Sequence, residues 1–91
     1  MLSNRIKELR LSYNLNQVEF GKKLSITKQT VSNWENNNIL PSIDMLTKIA
    51  DFFNVTTDYL LDRDERRMLN VSELTEEQIA HISMIISDLS K

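Results

Sequence analysis

The sequence predicts an all-α protein: five short helices over residues 2–62, a polar linker over 63–74 and a longer amphipathic helix over 75–91. Three observations carry that reading. Apolar residues recur at i, i+3, i+4 and i+7, the spacing of one helix face. Side chains able to cap a helix stand at or near the start of each stripe. The 91 residues also include one glycine, Gly21, and one proline, Pro41, too few for the many tight turns of a sandwich or barrel. At this length, 41% hydrophobic content serves one small core rather than two.

The elements follow in order. Leu2, Ile6, Leu9 and Tyr13 form the stripe of a first helix, with Ser3 or Asn4 available as N-cap. Asn-Leu-Asn at 14–16 breaks it, and Asn16 can cap a second helix, 17–24, that carries Val18, Phe20, Gly21 and Leu24. Ser25-Ile26-Thr27 interrupts that helix after about two turns. Thr27 then caps a third helix, 27–36, in which Val31 and Trp34 share a face. Asn36-Asn37-Asn38 reads as a loop, and Pro41-Ser42 starts a fourth helix with the stripe Ile43, Leu46, Ile49, Ala50 and Phe53. Asn54 closes it, and Thr56 or Thr57 opens a short fifth helix ending at Leu60-Leu61. The tract 62–67 is a solvated connector or a helical extension. Thr75, with Gln78 three residues on, is a capping-box signature for the last helix, which runs to about Leu89.

Composition narrows the function classes. The chain has no cysteine and one histidine, His81, so neither a disulfide scaffold nor a Cys- or His-based metal cluster is expected, and a reducing cytoplasm fits. No apolar run approaches the roughly 18 residues of a membrane span, and no signal-peptide h-region is expected at the N-terminus. No Ser/His/Asp set, paired-carboxylate cleft or glycine-rich phosphate loop can be assembled, which predicts a non-enzyme without cofactors. Net charge is −2, a sum that argues against a nucleic-acid partner until its distribution is considered. Residues 1–34 hold six Lys or Arg against two Glu, a net +4; residues 35–62 hold one Lys against five acidic residues, a net −4; the remainder carries −2. A polarised chain can present an anion-facing surface despite an acidic total.

The most informative feature is the pair of short helices joined by a three-residue turn. Two helices meeting that abruptly need a small residue where their axes nearly touch and apolar residues at fixed offsets inside. Gly21 supplies the first; Phe20, Leu24, Ile26, Val31 and Trp34 supply the second, with Trp34 read as core. The run from Leu15 to Asn36 resembles the two-helix core of the phage repressor and Cro-like helix-turn-helix DNA-binding family. The downstream Pro41-Ser42, Leu46, Ile49-Ala50, Phe53, Val55 and Asp58-Tyr59-Leu60-Leu61 resemble that family's fourth and fifth helices. The resemblance covers residues 2–62 and implies a five-helix repressor-like domain followed by the C-terminal helix. Two positions depart from the family pattern: Ser25 and Asn37 stand where glycine is usual.

The resemblance implies that the third helix lies in the major groove of double-stranded DNA while the second crosses the backbone. Base contacts are then expected from Lys28, Gln29, Thr30, Ser32 and Asn33, and phosphate contacts from Gln17, Thr27 and Asn36. Gln29 and Asn33 lie four apart on one face, and each can donate and accept in the bidentate manner that suits adenine. Arg10 and Glu35 match a pair that the family uses as a partly buried ion pair, a structural role. In the last helix, Ile79, Ile82, Ile85, Ile86 and Leu89 form an apolar face that an isolated helix of about 15 residues could not leave unpartnered. Dimerisation through this face is preferred over packing back on the first domain, because a two-fold dimer doubles the DNA footprint. The sequence thus predicts a cytoplasmic, sequence-specific transcriptional regulator, a repressor acting as a homodimer on a pseudo-palindromic operator. The alternative is an antitoxin or adaptor whose last helix binds a different protein. No small-molecule ligand is expected, since no segment is left over to build a pocket.

Overall fold

The computed structural model describes residues 1–90; the last residue of the predicted final segment, Lys91, lies outside the described residues. Six helices occur in the order α1 Leu2–Ser12, α2 Gln17–Leu24, α3 Lys28–Glu35, α4 Ile43–Phe53, α5 Thr57–Leu60 and α6 Glu76–Leu89, with no strand among the described residues. Helices α1–α5 close around a core of Ile6, Leu9, Phe20, Leu24, Val31, Trp34, Ile49, Ala50, Phe53, Val55 and Leu60. Its centre is aromatic. Phe53 takes the Tyr13 ring edge-on at 4.9 Å between centroids and lies 5.3 Å from Phe20, geometries that add to simple area burial. The Tyr13 hydroxyl donates to the Phe53 carbonyl at 3.2 Å, which fastens the end of α1 to the end of α4.

Caps hold the short helices in place. Asn16, Thr27, Ser42, Thr56 and Thr75 each accept a hydrogen bond from the backbone three residues on. At both Asn16 and Thr75 the bond is reciprocated by the side chain at N3, Glu19 or Gln78. Asn54 ends α4 with φ 58°, in the left-handed region that Asn enters more readily than most residues.

Three details differ from the sequence reading. Helix α1 begins at Leu2, with Met1 at the cap position and making no side-chain cap bond; Ser3 is buried in the first turn, not capping. Packing of Leu2 against the core outweighs a cap worth about 1 kcal/mol. Ile43 is 82% exposed although it lies one heptad before the buried Ala50 and shares its azimuth. Met45 and Leu46 of the same turn pack against the core, and Ile43 lies at the margin of the buried face, beyond the edge of what the core covers. Val18 and Leu61 are also exposed.

The tract after α5 is non-helical, which decides between the two forms that the sequence left open. Asp62 turns the chain with φ 60°, and its carboxylate pairs with Arg5 at 2.8 Å and with the N-terminal ammonium. The ammonium hydrogen bond is the main cause holding the Asp62 carboxyl below the usual carboxylate range. Arg5 also stacks over the Tyr59 ring, 4.0 Å from its centroid, which ties α1 to α5 a second time. Farther on, Met68, Leu69 and Leu74 face Ala50 and Val55 across an open cleft of about 810 Å³. The linker therefore does build a concavity, contrary to the expectation that nothing was left to form one.

Candidate nucleic-acid interface

Helices α2 and α3 meet through Ser25, Ile26 and Thr27. The closeness of that approach is measurable at Gly21: a Cβ there would sit 2.8 Å from the Ile26 carbonyl oxygen, a distance real Cβ atoms do not tolerate. The Ile26 amide donates to the Gly21 carbonyl at 2.8 Å, so the turn folds directly onto the glycine. Ser25 ends α2 with φ 59° and ψ 42°, the left-handed conformation that glycine adopts without cost. A serine in that well carries about 1 kcal/mol of strain. Asn37, at φ 58°, takes the same conformation after α3.

The turn sets α3 with Val31 and Trp34 inward, both buried. At about 100° per residue, Lys28, Gln29, Ser32, Asn33 and Asn36 then fall on one arc of the opposite side. None of the five is buried. Thr30 falls outside the arc; its hydroxyl lies 2.9 Å from that of Thr27, whose oxygen also accepts from the Thr30 amide. The structure thus brings five of the eight named polar residues together, four on α3 and Asn36 at its C-cap, places the Thr27–Thr30 pair at its N-terminus, and reaches Gln17 by another route.

That route is a buried ion pair. Arg10 meets Glu35 with two parallel bonds, Nε to Oε2 at 2.7 Å and Nη2 to Oε1 at 3.0 Å, with side chains 8% and 3% exposed. Its remaining nitrogen, Nη1, donates to the Leu15 carbonyl at 2.7 Å. Three elements are joined in this way: α1, the loop before α2, and the end of α3. The Gln17 amide then donates Nε2 to Glu35 Oε1 at 3.2 Å. No buried side-chain polar atom among the described residues lacks a partner.

Sequence reasoning missed the Gln17–Glu35 bond and two bonds along the arc. Gln29 Nε2 donates to Asn33 Oδ1 at 3.1 Å, and Asn36 Nδ2 to Ser32 Oγ at 3.2 Å. The i, i+4 spacing of these amide and hydroxyl side chains was the available signal. Gln17 and Glu35, eighteen residues apart, left no such mark. Lys22 and Lys23 are exposed at the C-terminal end of α2, beside the arc in sequence, where cations also complement the helix dipole.

Helix α6 stands apart from this construction. It has fourteen residues and none is buried; Ile85, Ile86 and Leu89 are 58%, 55% and 81% exposed, while Ile79 and Ile82 are half-buried. His81 is exposed on the same helix. No helix among the described residues is long and apolar enough to cross a membrane.

Comparison with known proteins agrees with the geometry. The family model described as helix-turn-helix matches residues 6–60. The HTH-type transcriptional regulator ImmR of Bacillus subtilis (strain 168) is 37% identical over 78 residues, covering 86% of this chain and 61% of that protein. The chain thus spans less than two thirds of that relative's length. The cryptic phage CTXphi transcriptional repressor RstR of Vibrio cholerae is 26% identical over 96 residues, covering 97% of this chain and 86% of RstR. Among solved structures, the P22 c2 repressor in complex with synthetic operator 9T superposes with a TM-score of 0.66 at 25% identity, covering 70% of this chain and 97% of that one. The buried α2–α3 corner, the five-helix core and these matches together place the chain in the XRE-type helix-turn-helix family, whose members are DNA-binding transcription regulators rather than enzymes.

Proposed function

We propose that the chain is a sequence-specific DNA-binding regulator, a repressor, that binds a pseudo-palindromic operator in duplex DNA as a homodimer. The observation that carries this reading is the polar arc of α3, held outward by Val31 and Trp34 and delimited by the Gly21 corner. Lys28, Gln29, Ser32 and Asn33 reach base edges in the major groove, Thr30 contributes its methyl group at the margin, and Gln17, Thr27 and Asn36 hold the phosphates on either side. Residues 2–62 form the DNA-binding unit, 63–74 the linker, and 75–91 the dimerisation segment. Ile79, Ile82, Ile85, Ile86 and Leu89 pack against the same residues of a second copy. The two recognition helices then face half-sites about 34 Å apart. A regulator of this kind works in the cytoplasm, where the DNA is.

Mobility-shift titration against selected and random duplexes tests the groove assignment. Gln29→Ala combined with Asn33→Ala should abolish the preference for the selected sequence while leaving weak, salt-sensitive binding to any duplex. Unchanged preference would refute the assignment. Light scattering of the wild type and of Ile82→Asp with Ile86→Asp tests assembly: a dimer that the double variant converts to a monomer is expected. A monomeric wild type would turn the reading toward an adaptor or antitoxin whose α6 binds another protein.

A further inference from the structure

We infer that Glu35 is a positioning residue for DNA binding: the buried Arg10–Glu35 pair orients the Gln17 amide toward the phosphate backbone. The inference rests on the proposed DNA-binding reading and assigns to the ion pair a role beyond holding helices together. Its basis is the polarity of the groups. A carboxylate only accepts and a guanidinium only donates, so the end of the Gln17 amide that meets Glu35 Oε1 at 3.2 Å must be the NH2. One N–H is spent on Glu35, and because Gln17 is only half-buried at the start of α2, the second can reach a phosphate. Of the first-turn amides of α2, that of Glu19 is taken by the Asn16 side chain, which leaves those of Gln17 and Val18 to attract the same anion.

A carboxylate this close to a phosphate would repel it if it carried its full charge. Arg10 cancels that charge with two parallel bonds of 2.7 and 3.0 Å, and burial of both side chains strengthens the cancellation. The pair therefore supplies a hydrogen-bond acceptor for Gln17 without presenting a net negative charge to the DNA. It also fixes the amide orientation before DNA arrives, which reduces the side-chain ordering left to occur on binding.

A cycle of variants tests this. In the wild-type background, Gln17→Ala should weaken binding about tenfold, equally for selected and random duplexes, since phosphate contacts carry no sequence information. In a background with Arg10→Met and Glu35→Leu, which replaces the pair by apolar groups, Gln17→Ala should change affinity less than twofold. Equal losses in the two backgrounds would overturn the inference, because Gln17 would then act unaided. No loss in either would overturn it as well, while leaving sequence-specific binding, and hence the proposed function, intact. Absence of any sequence-specific binding by the wild type would overturn both. Should the double background fail to fold, the free wild-type protein still decides: NMR relaxation of the Gln17 side-chain NH2 should show an ordered amide before DNA is added, and a freely averaging one would refute positioning by Glu35.

Discussion

Helices α2 and α6 start alike and end in different environments. Each opens with a reciprocated capping box, Asn16 with Glu19 in one and Thr75 with Gln78 in the other. Each carries apolar residues on one face. Yet α2 buries Phe20, Gly21 and Leu24, packing against α3 and the Phe52 and Phe53 rings of α4, whereas α6, nearly twice as long, has no fully buried residue. The lesson is that caps and periodicity specify that a helix forms and which face is apolar, and are silent about what covers that face. For α2 the answer lies within the chain, one short turn away. For α6 no residue is fully buried among the described residues, and the proposed function assigns that face to a second copy.

If α1–α5 and α6 are energetically separate, variants should divide cleanly between them, and Trp34, the one tryptophan, gives a private signal for the first region because it is buried there. The largest effect should come from Glu35→Ala. Removing one partner of a buried ion pair strands the Arg10 charge and should lower the unfolding free energy seen by Trp34 fluorescence in urea by about 3–5 kcal/mol. Far-ultraviolet dichroism of α6 should be left in place at denaturant concentrations where that signal is lost. Simultaneous loss of both signals would break the comparison.

Next in size is Gly21→Ala. The added methyl meets backbone, which cannot rotate away, so the α2–α3 corner must open, at a cost of about 1–3 kcal/mol in the Trp34 transition. DNA affinity should fall with it, because the same corner aims α3. A smaller pair of effects addresses the caps themselves. Asn16→Ala should cost about 1 kcal/mol in the Trp34 transition, whereas Thr75→Ala should reduce helicity without moving the Trp34 midpoint. An equal midpoint shift from both would mean that α6 is packed on the α1–α5 core after all.

The smallest effect concerns the boundary between the two regions. Asp62, where the chain leaves α5, is held below the usual carboxylate range first by its hydrogen bond to the N-terminal ammonium, with Arg5 adding to it. A depressed folded value means that the stabilisation is present above the unfolded carboxyl value of about 3.9 and is lost as pH falls through the folded one. Asp62→Asn keeps a residue tolerant of the positive φ. The variant should therefore be slightly less stable than wild type at neutral pH, and the two thermal midpoints should converge as the solution is acidified. A difference that persisted or grew in acid would show that the charge at Asp62 is not what holds that turn.

How much of this was legible beforehand can be followed through particular residues. The order of the helices and their limits apart from the start of α1, the caps at Asn16, Thr27 and Thr75, the close approach at Gly21 and the inward set Phe20, Leu24, Val31 and Trp34 could all be read from spacing and side-chain chemistry. These are effects of neighbours within about four positions. The cap expected at Ser3 or Asn4 and the burial expected of Ile43 could not be read, because packing of Leu2 and the edge of the core decided them. The arc of α3 was legible as a set of polar positions; its internal bonds, and the exclusion of Thr30 from it, were not written in composition or spacing.

The sequence by itself determined that six helices form, where they stop, and that a polar stripe and an apolar face would be left over. Hydrogen bonds three and four residues apart and the 3.6-residue period suffice for that. Only the tertiary structure decided that Gln17, Arg10 and Glu35 share one site, since residues from α1, α2 and the end of α3 meet there only after the core has closed. It also left α6 without a buried residue among the described residues. The physical reason is the same in both cases: helix formation is settled by local geometry, whereas burial depends on which distant surfaces the packed core brings within reach.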